Sequence, residues 1–167
     1  MITRIAIAFV FSACSFSPLA QVDSSFLAGA SELTTETLMI GYSHDSKCPW
    51  KEAEAESAID SELRRASIQR SERWEDVFLA VTPSCVQVTK EQTETPAGYA
   101  FAYQVRYCSL GTLNHQKDDE LVCNATDFGG SASGGMDSNA KKYYLDALAG
   151  GVSRALDDFI RATMDQK

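Results

Sequence analysis

The chain has 167 residues, of which 23 are Asp or Glu and 15 are Lys or Arg, so its formal net charge at pH 7 is −8. An excess of negative charge repels phosphates, and we therefore expect no nucleic-acid partner. The only long apolar run lies at the N-terminus. It is shorter than the roughly 20 residues that a transmembrane helix needs, so we expect no membrane-spanning segment.

The first 20 residues have the pattern of a bacterial export signal. Arg4 supplies a positive charge, and the apolar run at 5–13 follows it. Small residues and a proline come next, as at the end of a secretory signal. Cleavage near Ala20 would release a mature chain that is more acidic, because Arg4 is lost with the signal.

Cys14 offers a second route of processing. Residues 11–14, Phe-Ser-Ala-Cys, have the order of a bacterial lipobox, in which an apolar residue and two small residues precede a lipidated cysteine. Phe11 stands where such motifs usually have Leu, so soluble export to the periplasm or the medium is favoured over an outer-membrane lipoprotein. A lipid on Cys14 is the only membrane contact that we expect.

Beyond the export signal at 1–20, we expect an irregular lead-in at 21–36 and a single domain at 37–167. Within the domain, hydrophobic periodicity predicts the order β-α-β-β-β-α. The predicted strands are at 37–42, 77–88, 99–107 and 121–128, and the predicted helices run over about 49–72 and from about 138 to the C-terminus.

These elements predict an α+β domain, with an antiparallel sheet of about four strands and two helices on one face. The strict alternation at 99–107 indicates that its aromatic residues face the helices. The opposite row then faces solvent or a partner, and it consists of Ala100, Ala102, Gln104 and Arg106. Pro83, together with a change in apolar parity after it, predicts a bulge or a break in the second strand. The glycine-rich residues 129–135 predict a flexible loop.

Four cysteines remain in the domain, and they allow three pairings. A hairpin between the last two strands would place Cys108 opposite Cys123, which leaves Cys48 to bond Cys85. We favour this pairing on the geometry of the hairpin. A free cysteine nucleophile is disfavoured, because cysteines in exported proteins are usually bridged. The paired C-x2-C spacing of a zinc or redox site is absent from the sequence, so we expect no metal and no cofactor.

Gly150 and Gly151 interrupt the second predicted helix. They serve close packing against the sheet, a kink in the helix, or contact with a partner helix. With Gln104 and Arg106, they are the candidate interaction surface.

The sequence contains no recognisable catalytic constellation, and we predict no catalytic residue. We favour a non-enzymatic binding or structural protein of the bacterial envelope with a protein partner. One form is a periplasmic inhibitor or immunity-type protein whose acidic surface meets a basic toxin. The alternative is a small secreted hydrolase that uses carboxylates with His44 or His115. The sequence leaves the oligomeric state open.

Overall fold

The computed structural model describes residues 36–72, 77–90, 95–111 and 120–164. The α+β class and the two helices match the prediction, but the sheet has six strands and is mixed rather than antiparallel with about four. The order of elements is therefore β-α-β-β-β-β-β-α. The elements are β1 (Thr37–Tyr42), α1 (Glu52–Arg65), β2 (Gln69–Arg70), β3 (Val77–Thr89), β4 (Pro96–Gly111), β5 (Glu120–Cys123), β6 (Gly130–Gly134) and α2 (Ser138–Met164).

The strands follow the spatial order β2-β1-β3-β4-β5, and β6 pairs with β4. β1 is parallel to both β2 and β3, whereas β3, β5 and β6 are all antiparallel to β4. The prediction of an antiparallel sheet was wrong at β1, because the chain crosses from β1 to β3 through α1. A crossover connection of this kind joins parallel strands.

β3 is one continuous strand, and the predicted bulge or break near Pro83 does not occur. Its register with β4 is unbroken from Val77 to Val88, and it shifts only between Val88 and Thr89. The apolar parity changes in the sequence because Val86 and Val88 lie on the exposed face of the sheet. Their side chains are 62% and 44% exposed.

Pro83 is accommodated because β1 ends before reaching it. The backbone on either side of Pro83 points towards β1: the carbonyl of Val81 accepts a hydrogen bond from Ser43 N–H (3.1 Å), and Cys85 N–H donates to the Asp45 carboxylate (2.9 Å). The nitrogen of Pro83 points to the same side, beyond the last residue of β1. The missing N–H therefore removes no bond from the sheet.

The predicted flexible loop at 129–135 contains β6, which pairs antiparallel with residues 99–103 of β4. β5 pairs only with residues 108–111 of the same edge, so the backbone of residues 99–103 is left open for a second strand. Glycine permits the close approach, because a Cβ on Gly98 would collide with the carbonyl of Gly134. The predicted strand at 121–128 accordingly ends early, at Cys123.

α1 is shorter than the predicted helix over 49–72 because the backbone reverses at Ser67, which has a φ of 59°. Ser67 N–H donates to the Arg64 carbonyl (3.1 Å), and Ile68 N–H donates to the Leu63 carbonyl (2.9 Å). This pair of bonds is a Schellman motif. The side chains of Ile68 and Leu63 are both buried in the hydrophobic core, at the two positions where this motif commonly has an apolar pair.

Both helices cover the same face of the sheet and enclose the hydrophobic core. The aromatic row of β4 faces this core as predicted, with Phe101, Tyr103 and Tyr107 all buried. The Tyr107 hydroxyl donates to the carbonyl of Ala155 in α2 (2.7 Å). The largest fully buried side chains are Tyr107, Tyr144, Phe101, Phe159, Leu38, Ile59, Leu63, Leu79, Leu148, Leu156 and Val81.

Two disulfides are present, Cys48–Cys85 and Cys108–Cys123, and this is the pairing that the sequence favours. Cys108 and Cys123 are direct partners in the register of β4 and β5. Cys48 lies in the loop before α1, and Cys85 lies on the face of β3 that the helices cover. The first bond ties the start of α1 to the sheet, and the second ties β5 to β4.

Candidate functional site

The face of the sheet opposite the helices is exposed at residues 82, 84, 86 and 88 of β3 and at residues 100, 102 and 104 of β4, whereas Phe78 and Cys108, further along the same face, are buried. Because side chains alternate along a strand, the even-numbered residues of β3 and β4 project to this face while their odd-numbered neighbours enter the core. From residue 82 to residue 86 of β3, each even-numbered residue is exposed and each odd-numbered residue is buried. We call this surface the open face.

A groove of about 440 Å³ runs across the open face between β3 and β6, with β4 as its floor. None of the described residues that line it is charged. The side chains are small, so the floor is shallow and smooth, and Val86 forms an apolar rim. The open-face residues that line the groove are Ser84, Val86, Ala100, Ala102, Ser131 and Ser133.

Two of the predicted surface residues, Gln104 and Arg106, lie on the open face beyond the end of the groove. Gln104 is exposed. Arg106 is held by an ion pair with Asp127 (3.1 Å), whose other carboxylate oxygen accepts the backbone N–H of Val105 (3.0 Å). The guanidinium of Arg106 is thus used to fix the segment between β5 and β6.

The other two predicted surface residues, Gly150 and Gly151, do not share this surface. Gly151 is buried where α2 meets β4, and a Cβ there would lie 2.6 Å from the Tyr103 ring and 3.3 Å from Val105. This is the close-packing alternative that the sequence left open. Gly150 is partly exposed, and the one described residue that a Cβ on it would approach is Arg154, at 3.8 Å.

Of the two histidines in the hydrolase alternative, the structure describes His44, which interacts electrostatically with the carboxylate of the adjacent Asp45. His44 Nδ1 is 3.2 Å from the Tyr42 hydroxyl, which also accepts a hydrogen bond from Trp50 Nε1 (3.3 Å). Cys48, the nearest cysteine to His44, is bonded to Cys85 and has no free thiol. His115 lies outside the described residues.

Among the described residues, five groups have shifted pKa values, and the main cause of each shift is either burial or a hydrogen bond. Burial raises the pKa of Tyr107 well above 10.0, and it also raises the pKa values of Tyr42 and Tyr144. The pKa of Asp45 is lowered by the hydrogen bond from Cys85 N–H, and the pKa of Glu54 is lowered by the hydrogen bond from the ammonium group of Lys141. None of these groups lines the groove.

No three His, Cys, Asp or Glu side chains among the described residues come together in a way that could hold a metal ion. None of the described helices is long and apolar enough to cross a membrane. Cys14, the export signal and residues 21–35 of the lead-in lie outside the described residues, so their roles stay predictions.

The sequence reasoning missed four residues of the groove: Ser84, Val86, Ser131 and Ser133. The signal for Val86 was present, since an apolar residue at the exposed parity of a strand indicates a contact surface as readily as a bulge. The two serines of β6 gave no comparable signal, because a Gly-Ser-Ala-Ser-Gly stretch has no apolar alternation.

No protein-family model matches the sequence, and the comparison with curated proteins also finds no match. Among solved structures, rare lipoprotein B from Shewanella oneidensis is similar at 15% identity and a TM-score of 0.32, over 78% of this chain and 96% of that one. A minor lipoprotein from Acinetobacter baumannii has 14% identity and a TM-score of 0.36, over 78% and 91% of the two chains. The hypothetical protein CT253 from Chlamydia trachomatis has 10% identity and a TM-score of 0.35, over 77% and 95%. Likeness at this level supports no statement about function.

Proposed function

We propose that this chain is an exported, non-enzymatic binding protein of a bacterial envelope, and that it contacts a protein partner through the open face. The observation that carries the proposal is the groove, with Val86 62% exposed on its rim. Val88, on the same face of β3, is 44% exposed and extends the apolar surface beyond it.

The shape of the groove favours a protein over a small molecule. Small-molecule sites bury most of their ligand and place a few polar groups to orient it. Here the floor is shallow, and its polar groups are the hydroxyls of Ser84, Ser131 and Ser133. A broad, uncharged, partly apolar surface of this kind suits the flat contact of a second polypeptide.

The charge of the chain favours a basic partner. The chain has a net charge of −8, so it would attract a basic protein by long-range electrostatics before the two make contact. An inhibitor or immunity-type protein that covers a basic toxin is one specific form of this proposal. Its association should become slower as the salt concentration rises.

The test compares Val86→Asp with Val122→Asp, a matched control in which the same change is made at a 36% exposed valine of β5 that lies outside the groove. The tagged chains are used to capture partners from an envelope extract, and the proteins retained are quantified by mass spectrometry. We expect one basic protein to be retained by the native chain and the control but lost with Val86→Asp. Equal retention by all three chains, or no specific retention by the native chain, would overturn the proposal.

The absence of catalysis is tested separately. If the chain were a hydrolase, a hydrolytic activity would co-purify with it and fall on combining His44→Ala with His115→Ala. We expect no activity that depends on either histidine.

A further inference from the structure

We propose that β6 is a self-complementary edge through which two copies of this chain pair, antiparallel, about a two-fold axis at Ala132. The inference concerns the outer edge of the sheet rather than the groove, and it does not depend on the proposed function. It follows from the direction of the backbone groups in β6, from what surrounds them and from the order of its residues.

The backbone bonds beside β6 show which groups of β4 point to this edge. The Val105 carbonyl accepts a hydrogen bond from Phe128 N–H (2.9 Å), and the Tyr107 carbonyl accepts one from Asn124 N–H (2.8 Å). Odd-numbered residues of β4 therefore present their backbone groups to the side where β5 and β6 lie. Because the register of β4 with β3 is unbroken over this stretch, the same holds for residues 99, 101 and 103.

The direction of the β6 groups follows from its register. Tyr99, Phe101 and Tyr103 are opposite Gly134, Ala132 and Gly130, so these three residues of β6 bond inward to β4. In an antiparallel ladder, the alternate residues point the other way. The N–H and C=O groups of Ser131 and Ser133 are thus directed outward, away from the sheet.

Nothing among the described residues covers these groups. Both serines are exposed, and neither forms a hydrogen bond with a described residue outside the ladder to β4. Edge strands of monomeric proteins are usually protected by Lys, by Pro, by a bulge or by a covering segment. β6 contains no charged residue and no Pro, and its register with β4 is regular.

The sequence of β6 matches this geometry, since Gly-Ser-Ala-Ser-Gly reads identically in both directions. If Ala132 lies opposite Ala132 of a second copy, Ser131 lies opposite Ser133 of that copy, and Ser133 lies opposite its Ser131. Each serine pair can exchange two backbone hydrogen bonds, because these are the residues with outward groups. A two-fold interface requires this kind of self-complementarity.

The charge of the chain sets the strength of the pairing and its response to salt. Two copies with a net charge of −8 repel each other at long range, whereas the paired strands carry no charge. A strand of five residues also buries far less surface than a standard protein interface. The dimer should therefore be weak and reversible, and it should strengthen as salt screens the repulsion.

The first test is Ser133→Pro, compared with Ser133→Thr in sedimentation velocity over a concentration series of the exported protein. Proline removes the outward N–H and leaves the inward bonds of β6 intact, as edge strands tolerate. By symmetry two of four intermolecular bonds are lost, so we expect the dimer of Ser133→Pro to be weaker by about tenfold or more than that of the native chain or Ser133→Thr. Circular dichroism of both variants checks that the fold is kept.

The second test fixes the register with Ser131→Cys and Ser133→Cys. In the proposed dimer, these cysteines face each other at a Cα distance of about 5.5 Å, within the range of a disulfide. A mixture of the two variants should form a cross-linked dimer faster than either variant alone, with the linked peptides identified by mass spectrometry. A native chain that stays monomeric at every concentration, or equal cross-linking by the separate variants, overturns the proposal.

Discussion

The carboxylate of Asp45 accepts a hydrogen bond of 2.9 Å from the backbone N–H of Cys85, a residue 40 positions further along the chain. Its second oxygen accepts Lys47 N–H (2.9 Å), and its backbone carbonyl accepts Cys48 N–H (2.9 Å). One residue therefore positions both ends of the Cys48–Cys85 disulfide. The loop after β1 is shaped by these bonds as well as by the covalent link.

Stability at acid pH should depend on Asp45. The hydrogen bond from Cys85 N–H holds the pKa of this carboxyl below 3.8 in the folded chain. Since the folded pKa is the lower one, the contribution to the free energy of unfolding is present above the unfolded pKa, about 4, and is lost as pH falls through the folded pKa. We expect Asp45→Asn to flatten this acid slope in denaturant titrations at several pH values. Asp157→Asn, which removes one carboxylate at an exposed position of α2, is the charge-matched control.

Tyr107 should govern part of the loss of stability at alkaline pH. Burial raises its folded pKa well above 10.0, so the stabilisation is complete below the unfolded pKa of about 10 and is lost as pH rises through the folded value. Tyr107→Phe removes the bond to the Ala155 carbonyl and should cost about 1–2 kcal/mol at neutral pH while weakening the alkaline slope. The exposed Tyr143→Phe is the control. An alkaline slope that is identical in all three chains would contradict the assignment.

Alanine at the two adjacent glycines of α2 should act in opposite directions. A methyl group at Gly151 meets the Tyr103 ring and the Phe128 carbonyl, so Gly151→Ala should destabilise the fold by about 1–3 kcal/mol. Among the described residues, a methyl group at Gly150 would meet only the Arg154 guanidinium, at an ordinary contact distance of 3.8 Å, so Gly150→Ala should stabilise the fold by about 1 kcal/mol through helix propensity. Thermal unfolding of the two variants gives the comparison, and a shift of the same sign in both would be incompatible with this packing.

The two disulfides should contribute unequally. Cys48 and Cys85 are separated by 37 positions, and Cys108 and Cys123 by 15. Closing the longer loop restricts the unfolded chain more, so replacing Cys48 and Cys85 with Ala should cost about 4 kcal/mol and replacing Cys108 and Cys123 about 3 kcal/mol. Urea titrations of the two double variants test the order. A larger loss of stability on removing Cys108–Cys123 would contradict this explanation, and would mean that contacts in the folded state set the relative contributions of the two disulfides.

The sequence predicted those features that depend on local alternation. The aromatic row of β4 was placed in the core because an apolar period of two has one structural interpretation when helices are available to cover it. The pairing of Cys108 with Cys123 followed from the same hairpin geometry. These predictions required no knowledge of where distant strands lie.

The features that the sequence did not predict depend on distant neighbours. Residues 130–134 form a strand because β5 leaves part of the β4 edge unpaired. The sequence Gly-Ser-Ala-Ser-Gly does not indicate that such an unpaired edge is available. Pro83 indicated a break in β3 because proline is tolerated inside a strand only where no neighbouring strand needs its N–H. Whether β1 reaches Pro83 is not visible in the sequence. Val86 was assigned to a bulge because the sequence alone does not show that one face of the sheet is left without helices.

The small side chains of the open face have a thermodynamic consequence for any contact made there. Long surface side chains lose rotational freedom when they are covered, at a cost of up to about 2 kcal/mol each, whereas alanine has no rotamers to lose. Ala100 and Ala102, on the floor of the groove, are already in their bound geometry. Covering this surface should therefore carry a low entropic cost, and its rigidity, more than its area, would set the affinity.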